Sequence, residues 1–373
     1  MLLMAIAKKN QLVGLDIGSQ SIKLVEIKHN KNGRFLKHFG IVSLPPDAIV
    51  EGSIREMEIV SSAIKNLYSN LKVKNKNIAT SISGFSVIVK KIELDKKEES
   101  QLQKTIWGDA EQHIPFEIKE VNLDFDILTA GNELKEEAAE EGESEENVEE
   151  GASRMEVMLV AEKKDIIDDY VNLLERSGLK PEILDLDPFA LQNAFEISTD
   201  ELDPEGCFVL VNVGAEELGF NAIKDGVSIF TRDSSFGGAQ ITKAIMSEFD
   251  VSFEEAERIK LGGTRVKKKK GALGEIFVAV VVEWVQEIKR VLDFLSSTYP
   301  EDTIKNIIIT GGSCRIPGFQ KYLELETGIS VTELNPLSNI IINEKNFDMQ
   351  YLEYLAPQVA VAVGLALRSI GDK

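Results

Sequence analysis

One pattern occurs twice in this chain, and that repeat limits the fold more than any other feature. Val13 to Ile27 reads VGLDIGSQSIKLVEI, a strand, a tight turn and a second strand, and Gly33 to Leu44 supplies a third strand. Cys207 to Val213 reads CFVLVNV, and a polar turn, Gly219 to Lys224, the turn Asp225-Gly226 and Val227 to Arg232 follow it. Strand–turn–strand–turn–strand thus appears twice, with Asp16-Ile17-Gly18 matched by Asn212-Val213-Gly214. Two related halves, each carrying one polar turn, suggest a nucleotide clamped between them.

The first turn shows why. Asp16 falls where the first strand ends, and Gly18 permits the positive φ of a sharp hairpin. The backbone N–H groups of Ser19, Gln20 and Ser21 can converge on an anion, and Lys23 opens the next strand. A carboxylate, an N–H-lined turn and a lysine this close together suit a triphosphate carrying Mg²⁺. The turn would hold the phosphates, Lys23 would neutralise them, and Asp16 would reach the metal directly or through water. Taken alone, the stretch reads equally well as an ordinary surface hairpin.

At 373 residues the chain is long for one core, so two lobes are expected. Its net charge of −20 argues against nucleic acid as a partner. Much of that charge is local. Residues 131–153 carry ten Glu and one Lys with almost no bulky apolar residues, which reads as a disordered acidic loop between two strands. Cys207 and Cys314 lie far apart without metal-ligand spacing and imply a reducing compartment. His29, His38 and His113 are scattered, so no zinc site is read. The opening MLLMAIAKKN places its apolar run before its basic residues, the reverse of a signal peptide. The apolar run Ile276 to Val282 is far short of a membrane span and reads as a buried helix. A cytoplasmic protein is expected.

Between the two copies, Ser53 with Glu56 reads as a capping box before a helix with Met57, Val60, Ile64 and Leu67 on one face. Ile78 to Leu94 reads as strands. Leu102, Ile106, Trp107, Ala110 and Ile114 share a helix face that Pro115 ends. Val121 to Leu128 and Met155 to Ala161 read as strands, and Asp165 to Ser177 as a helix stopped by Gly178 and Pro181. Residues 78–180 thus form a small α+β unit inserted in the larger pattern.

After the second copy, Phe236-Gly237-Gly238 leads into a helix. Ser252 with Glu255 caps a short helix bearing Glu257 and Lys260, which share a face and, taken alone, read equally well as a ligand-facing pair or a surface ion pair. The run Arg265 to Lys270 is basic and reads as a solvated loop, with an anionic lipid or protein contact as the lesser reading. Gly274 to Ser296 is a long helix. Ile307 to Thr310 is a buried strand, and Gly311-Gly312-Ser313 after it lets backbone approach a flat ligand closely. Gln358 to Ser369 is an Ala/Val-rich helix of the kind that closes a tight lobe connection.

The ordered set of turns at 16–23, 212–216 and 311–313, followed by the small-residue helix, resembles the actin/Hsp70 nucleotide-binding fold. That is an α/β, two-lobe ATPase fold of duplicated RNase H-like domains, here with an α+β subdomain inserted in the first lobe. Within it the chain resembles the PilM family of type IV pilus assembly proteins. The stretches that carry the resemblance are VGLDIGSQSIKLVEI, SLPPDAIVEGSI, MLVAEKKDIIDDYVNLLERSGLKPEILDLDPFAL, FGGAQITKAI, ITGGSCRIPGF and APQVAVAVGLALR.

The resemblance implies a first lobe starting at 1–77, the insertion at 78–180, a return to the first lobe at 181–205, a second lobe at 206–343 and a C-terminal return at 344–373. It implies ATP and Mg²⁺ in the interlobe cleft. Gly18, Ser19, Gln20, Ser21 and Lys23 would meet phosphate, with Asp16 serving the metal. Asn212, Gly214 and Ala215 would form the second phosphate turn, with Gly237 and Gly238 beside it. Gly311, Gly312 and Ser313 would line the adenosine, and Glu257 and Lys260 would face ribose and adenine.

It also implies a partner, the N-terminal cytoplasmic tail of a PilN-like bitopic inner-membrane protein, gripped in a groove involving the insertion. The protein would then be peripheral to the inner membrane through that partner, with self-association as a further option. Members that hydrolyse ATP well usually carry Asp where this chain has Asn212. An amide cannot act as a carboxylate base, so binding with slow or absent turnover is expected. A cell-division protein like FtsA shares the fold and is disfavoured because such chains end in an amphipathic membrane helix after a linker. A small-molecule kinase of the same superfamily is disfavoured by the missing acid.

Overall fold

The computed structural model of the chain describes residues 11–84, 87–129, 154–199, 206–264 and 270–372. The acidic segment 131–153, Arg265 to Lys269 of the basic run and the apolar opening lie outside the described residues. The chain divides into two compact units, Met1–Gly84 with Val171–Lys373, and Phe85–Tyr170.

The first unit holds β1 (Val13–Ile17), β2 (Ser21–Asn30), β3 (Gly33–Ser43), the short pair β4 (Ile49–Val50) and β5 (Ser53–Ile54), and β6 (Asn77–Ile82). The second unit holds β7 (Ile88–Asp95), β8 (Val121–Thr129) and β9 (Arg154–Lys163). The first unit resumes with β10 (Lys180–Leu186), β11 (Cys207–Val213), β12 (Leu218–Lys224), β13 (Val227–Ser234), β14 (Ile304–Thr310) and β15 (Val331–Glu333).

The repeat seen in the sequence is a repeat of topology. One sheet runs β10-β6-β1-β2-β3 and the other β13-β12-β11-β14-β15. Read from the hairpin end, both have three antiparallel strands and then two parallel ones. β1 is buried along its whole length, as a central strand covered on both faces must be. In register, Asp16 faces Lys23 on β2. In the second sheet Asn212 faces Gly219, and Gly219 faces Asp233 on β13.

Two helices join the sheets. Asp187–Ser198 opens with Pro188 in its first turn, where a missing N–H costs nothing. Its Leu191 and Phe195 pack with Leu210, Ile223 and Ile308 of the second sheet, while Ala190 packs with Leu12 and Ala79 of the first. The second is Ala360–Ala366, whose seven residues are all buried. Small residues are required here. A Cβ on Gly364 would sit 1.6 Å from Ala190 O, and one on Gly14 would sit 2.1 Å from Ala362 O. The expected single helix from Gln358 is instead a 3₁₀ turn, Ala356–Val359, followed by this shorter helix.

The second lobe's core gathers helices Gly238–Phe249, Phe253–Lys260, Lys270–Thr298 and Phe319–Thr327 around Trp284, which is fully buried. The apolar run at 276–282 is only partly covered. Val278 is 64% exposed, and burial begins at Val280. No helix among the described residues is long and apolar enough to cross a membrane.

The second unit is a three-stranded antiparallel sheet, β7-β9-β8, with the helix Glu99–Ala110. Leu102, Ile106 and Ala110 pack with Ile92, Val157 and Leu159. Trp107, expected on that face, is 41% exposed, because the packed face takes one residue in three or four and 107 follows 106 directly. The insertion starts later and ends earlier than the expected 78–180. Asn77–Ile82 is hydrogen-bonded beside β1, and Val171–Gly178 belongs to the first unit. The capping box at Ser53 is also replaced. Ser53–Ile54 pairs with β4, and the helix Met57–Leu71 begins after Glu56 without a side-chain cap. Ser252, by contrast, accepts from the Glu255 N–H as expected.

Candidate functional site

The first hairpin closes through the Gly18 N–H, which donates to Ser21 O at 3.2 Å. Lys23 folds back over the turn. Its Nζ lies 3.2 Å from Asp16 Oδ2, and a Cβ at Gly18 would stand 3.0 Å from that ammonium. Both side chains are largely buried, so the pair sits in a reduced dielectric where its attraction is strengthened. Ser19 and Gln20 form the tip, and Gln20 O accepts from the Leu44 N–H.

The second lobe supplies three turns that touch one another. The Gly214 N–H donates to Glu217 O, closing the turn after β11. The Gly238 N–H donates to Gly214 O and the Ala239 N–H to Ala215 O, which seats the helix at 238 on that turn. The Ser313 N–H donates to Val213 O. Backbone packs on backbone throughout. A Cβ on Gly238 would lie 2.2 Å from Ser313 Oγ, and one on Gly311, whose φ is +90°, would lie 2.5 Å from Asn212 Oδ1. Glycine at 237, 238 and 311 is therefore a steric condition of the site.

Lys260 is not a surface residue. Its ammonium is buried and donates to Glu257 Oε1 at 2.6 Å, Thr242 Oγ1 at 2.9 Å and Gly238 O at 3.3 Å. Thr242 Oγ1 also donates to Glu257. Burial pulls the Lys260 ammonium down from its ordinary value, with Glu257 opposing. Lys260 thus braces the 237–238 turn, and Glu257 keeps the more exposed side chain of the two. Gln240 Oε1 accepts from the Gly237 N–H at 3.2 Å and from the Trp284 indole N–H at 2.9 Å, tying the same turn to the core.

The lobes meet through Gln358, a residue the sequence motifs did not single out as a contact. Its Nε2 donates to Ser21 Oγ at 3.5 Å, and a Cβ at Gly312 would touch its side chain at 3.5 Å. The candidate residues of both hairpins and of the 311–313 turn are therefore brought to one place.

Three acids missed in the sequence gather beside them. Asp187 accepts from Ser81 Oγ, Glu217 from Ser83 Oγ and Asp233 from the Gly84 N–H. Burial pushes the Asp187 carboxyl up to about 7, with Asp16 and Asp233 adding to the shift and Ser81 and Lys23 opposing it. Burial pushes Glu217 up to about 8, reinforced by Asp233, Asp187 and Glu216. Asp233 is raised by burial, against the Gly84 hydrogen bond. The one sequence signal available was Asp187-Pro188 at a helix start. Glu217 and Asp233 lie in no motif. Among the described residues no group of three or more His, Cys, Asp or Glu has the geometry to hold a metal ion.

A profile of the family described as "Type IV pilus assembly protein PilM" matches residues 14–370. The chain belongs to this family. A solved structure of a PilM-PilN type IV pilus biogenesis complex superposes with a TM-score of 0.81 at 26% identity, covering 96% of this chain and 98% of that one. The ethanolamine utilization protein EutJ from Carboxydothermus hydrogenoformans matches with a TM-score of 0.53 at 16% identity, over 96% of this chain and 89% of that one, which shows the fold. The cell division protein FtsA of Bacillus subtilis (strain 168) is 24% identical over 205 residues. That match spans 49% of this chain and less than half, 46%, of FtsA. The duplicated sheets are thus the two lobes of an actin-like fold, as the ordered turns implied.

Proposed function

We propose that this PilM-family chain is an ATP-binding scaffold of the type IV pilus machine that takes the cytoplasmic N-terminal tail of a PilN-like inner-membrane protein. The observation that carries the nucleotide reading is the convergence of three glycine-bearing turns, at 18–21, 214–215 with 237–238, and 311–313, the last two too tight for a Cβ at 237, 238 and 311. Such a cradle fits a phosphate chain and a flat base, which need backbone N–H groups and close approach.

Gly18 to Ser21 with Lys23, and Gly214 with Ala215, would hold phosphates, and Gly311 to Ser313 would lie along the adenosine. Asp16 would reach Mg²⁺. The donor set suits an ion bound mainly through phosphate oxygens and water, the usual habit of Mg²⁺, since no protein cage is formed among the described residues. When bound, the ion would offset phosphate charge. Asn212 stands in the second turn with an amide, so slow or absent turnover is proposed. Support for the partner is the likeness to the PilM-PilN complex along almost the whole chain. Association with the inner membrane would follow through that partner.

The test is a titration with the N-terminal tail peptide of the organism's own PilN-like protein, with and without Mg-ATP. Binding in either condition supports the scaffold. A difference between the two measures coupling of the sites. No binding in either removes the partner reading.

A further inference from the structure

Ser83 and Gly84 follow β6 directly, and residue 85 begins the second unit. This two-residue strap is held from the second lobe. Ser83 Oγ donates to Glu217 Oε1 at 2.5 Å, and the Gly84 N–H donates to Asp233 Oδ2 at 3.0 Å. Nearby, the Glu51 N–H donates to Glu216 Oε2 at 3.3 Å. The Glu51-Gly52 turn rests on the strap, since a Cβ at Gly52 would lie 2.8 Å from Ser83 O. Gly84 has φ +108°, so backbone shape aims its N–H at Asp233.

Three first-lobe donors thus meet three second-lobe carboxylates, all from the turn after β11 or from β13. Crowded carboxylates need positive partners. Glu217 faces Asp233, Asp187 and Glu216, and Asp187 faces Asp16, Asp233 and Lys23. The strap offers only neutral donors. A nucleoside triphosphate carrying a divalent cation brings a far stronger partner, one that favours the ionised form of acids that burial holds above the ordinary carboxyl range.

Resting on the nucleotide reading above, we propose that Glu216, Glu217 and Asp233 form a latch on the strap Ser83-Gly84. The latch is closed in the empty cleft and released when a cation–nucleotide complex competes for those carboxylates. Cleft occupancy then passes along the chain into the inserted unit through its first connection.

Amide exchange on peptides spanning residues 80–95 tests this in the full chain. Wild type, Ser83→Ala, Glu217→Gln and the double variant are compared empty and with Mg²⁺ plus a non-hydrolysable nucleoside triphosphate. The empty Ser83→Ala strap should exchange roughly fivefold faster, the usual net worth of one hydrogen bond, and the double variant should add little. Loading should speed wild-type strap exchange by a similar factor. Additive single effects, or no effect of either single variant, overturn the latch. Nucleotide bound by a labelled-analogue titration with strap exchange unchanged or slowed overturns the release. Absence of nucleotide binding overturns the cleft reading and the release together, while the empty-state variants still decide the latch.

Discussion

The two hairpins follow one backbone plan and hold charge in two ways. In the first, Asp16 and Lys23 face each other across adjacent strands at 3.2 Å, and the hairpin neutralises itself. In the second, the matching positions are Asn212 and Gly219, and the acid stands one strand further out, at Asp233. Gly219 leaves the space between them open, since its Cβ would lie 3.3 Å from Asp233 Oδ1. The duplication therefore kept the turn and not the ion pair. One hairpin is balanced internally, and the other places acids whose hydrogen-bond donors, Ser83 and Gly84, come from the first lobe.

Making the hairpins alike should do most damage at Gly14, two residues before Asp16, where the second copy has buried Leu210. Gly14→Leu drives a side chain into Ala362 O, which a Cβ alone would meet at 2.1 Å. We expect a loss of about 3 kcal/mol or more, read as a lower urea midpoint or as insoluble protein. Asp16→Asn copies the second hairpin into the first and leaves Lys23 buried without its partner. Affinity for a labelled Mg-nucleotide should fall by about tenfold to a hundredfold, as loss of a hydrogen bond to a charged group implies.

The reverse change, Asn212→Asp, adds a charge close to Asp233 with no lysine opposite. The empty protein should lose about 1 kcal/mol, Mg-nucleotide should restore it, and phosphate release should rise severalfold. Unchanged release would separate turnover from this position.

The buried acids also predict a pH dependence. Glu217 is pushed up to about 8 and Asp187 to about 7 in the folded chain, above ordinary carboxyl values. The folded state therefore binds more protons than the unfolded one between the ordinary carboxyl range and these values. Stability is highest below that window and falls as pH rises through it. The melting temperature should drop between pH 6 and 9, and Glu217→Gln should flatten the slope.

Both hairpins were legible in the sequence, because alternating apolar residues around a turn are local signals, although Gly18 does not take the positive φ expected of it. The 311–313 turn followed from glycines after a β-branched strand. The cleft acids were not legible. Asp187, Glu217 and Asp233 come from a helix start, a turn and a strand end, and only sheet register brings them together. Ser53 misled because a serine three residues before a glutamate fits a cap and an edge strand alike. Lys260 looked like a surface partner of Glu257 until the fold turned that helix face inward.

The hydrogen bond from Trp284 to Gln240, whose oxygen also holds Gly237, has a practical use. The chain has two tryptophans, one sealed against this turn and one, Trp107, 41% exposed in the inserted unit. Their emission should differ in colour and in quenching by iodide, so each part of the molecule carries its own intrinsic optical probe. A Trp107→Phe variant would leave a single tryptophan wired to the Gly237 turn, able to follow changes at that turn without any added label.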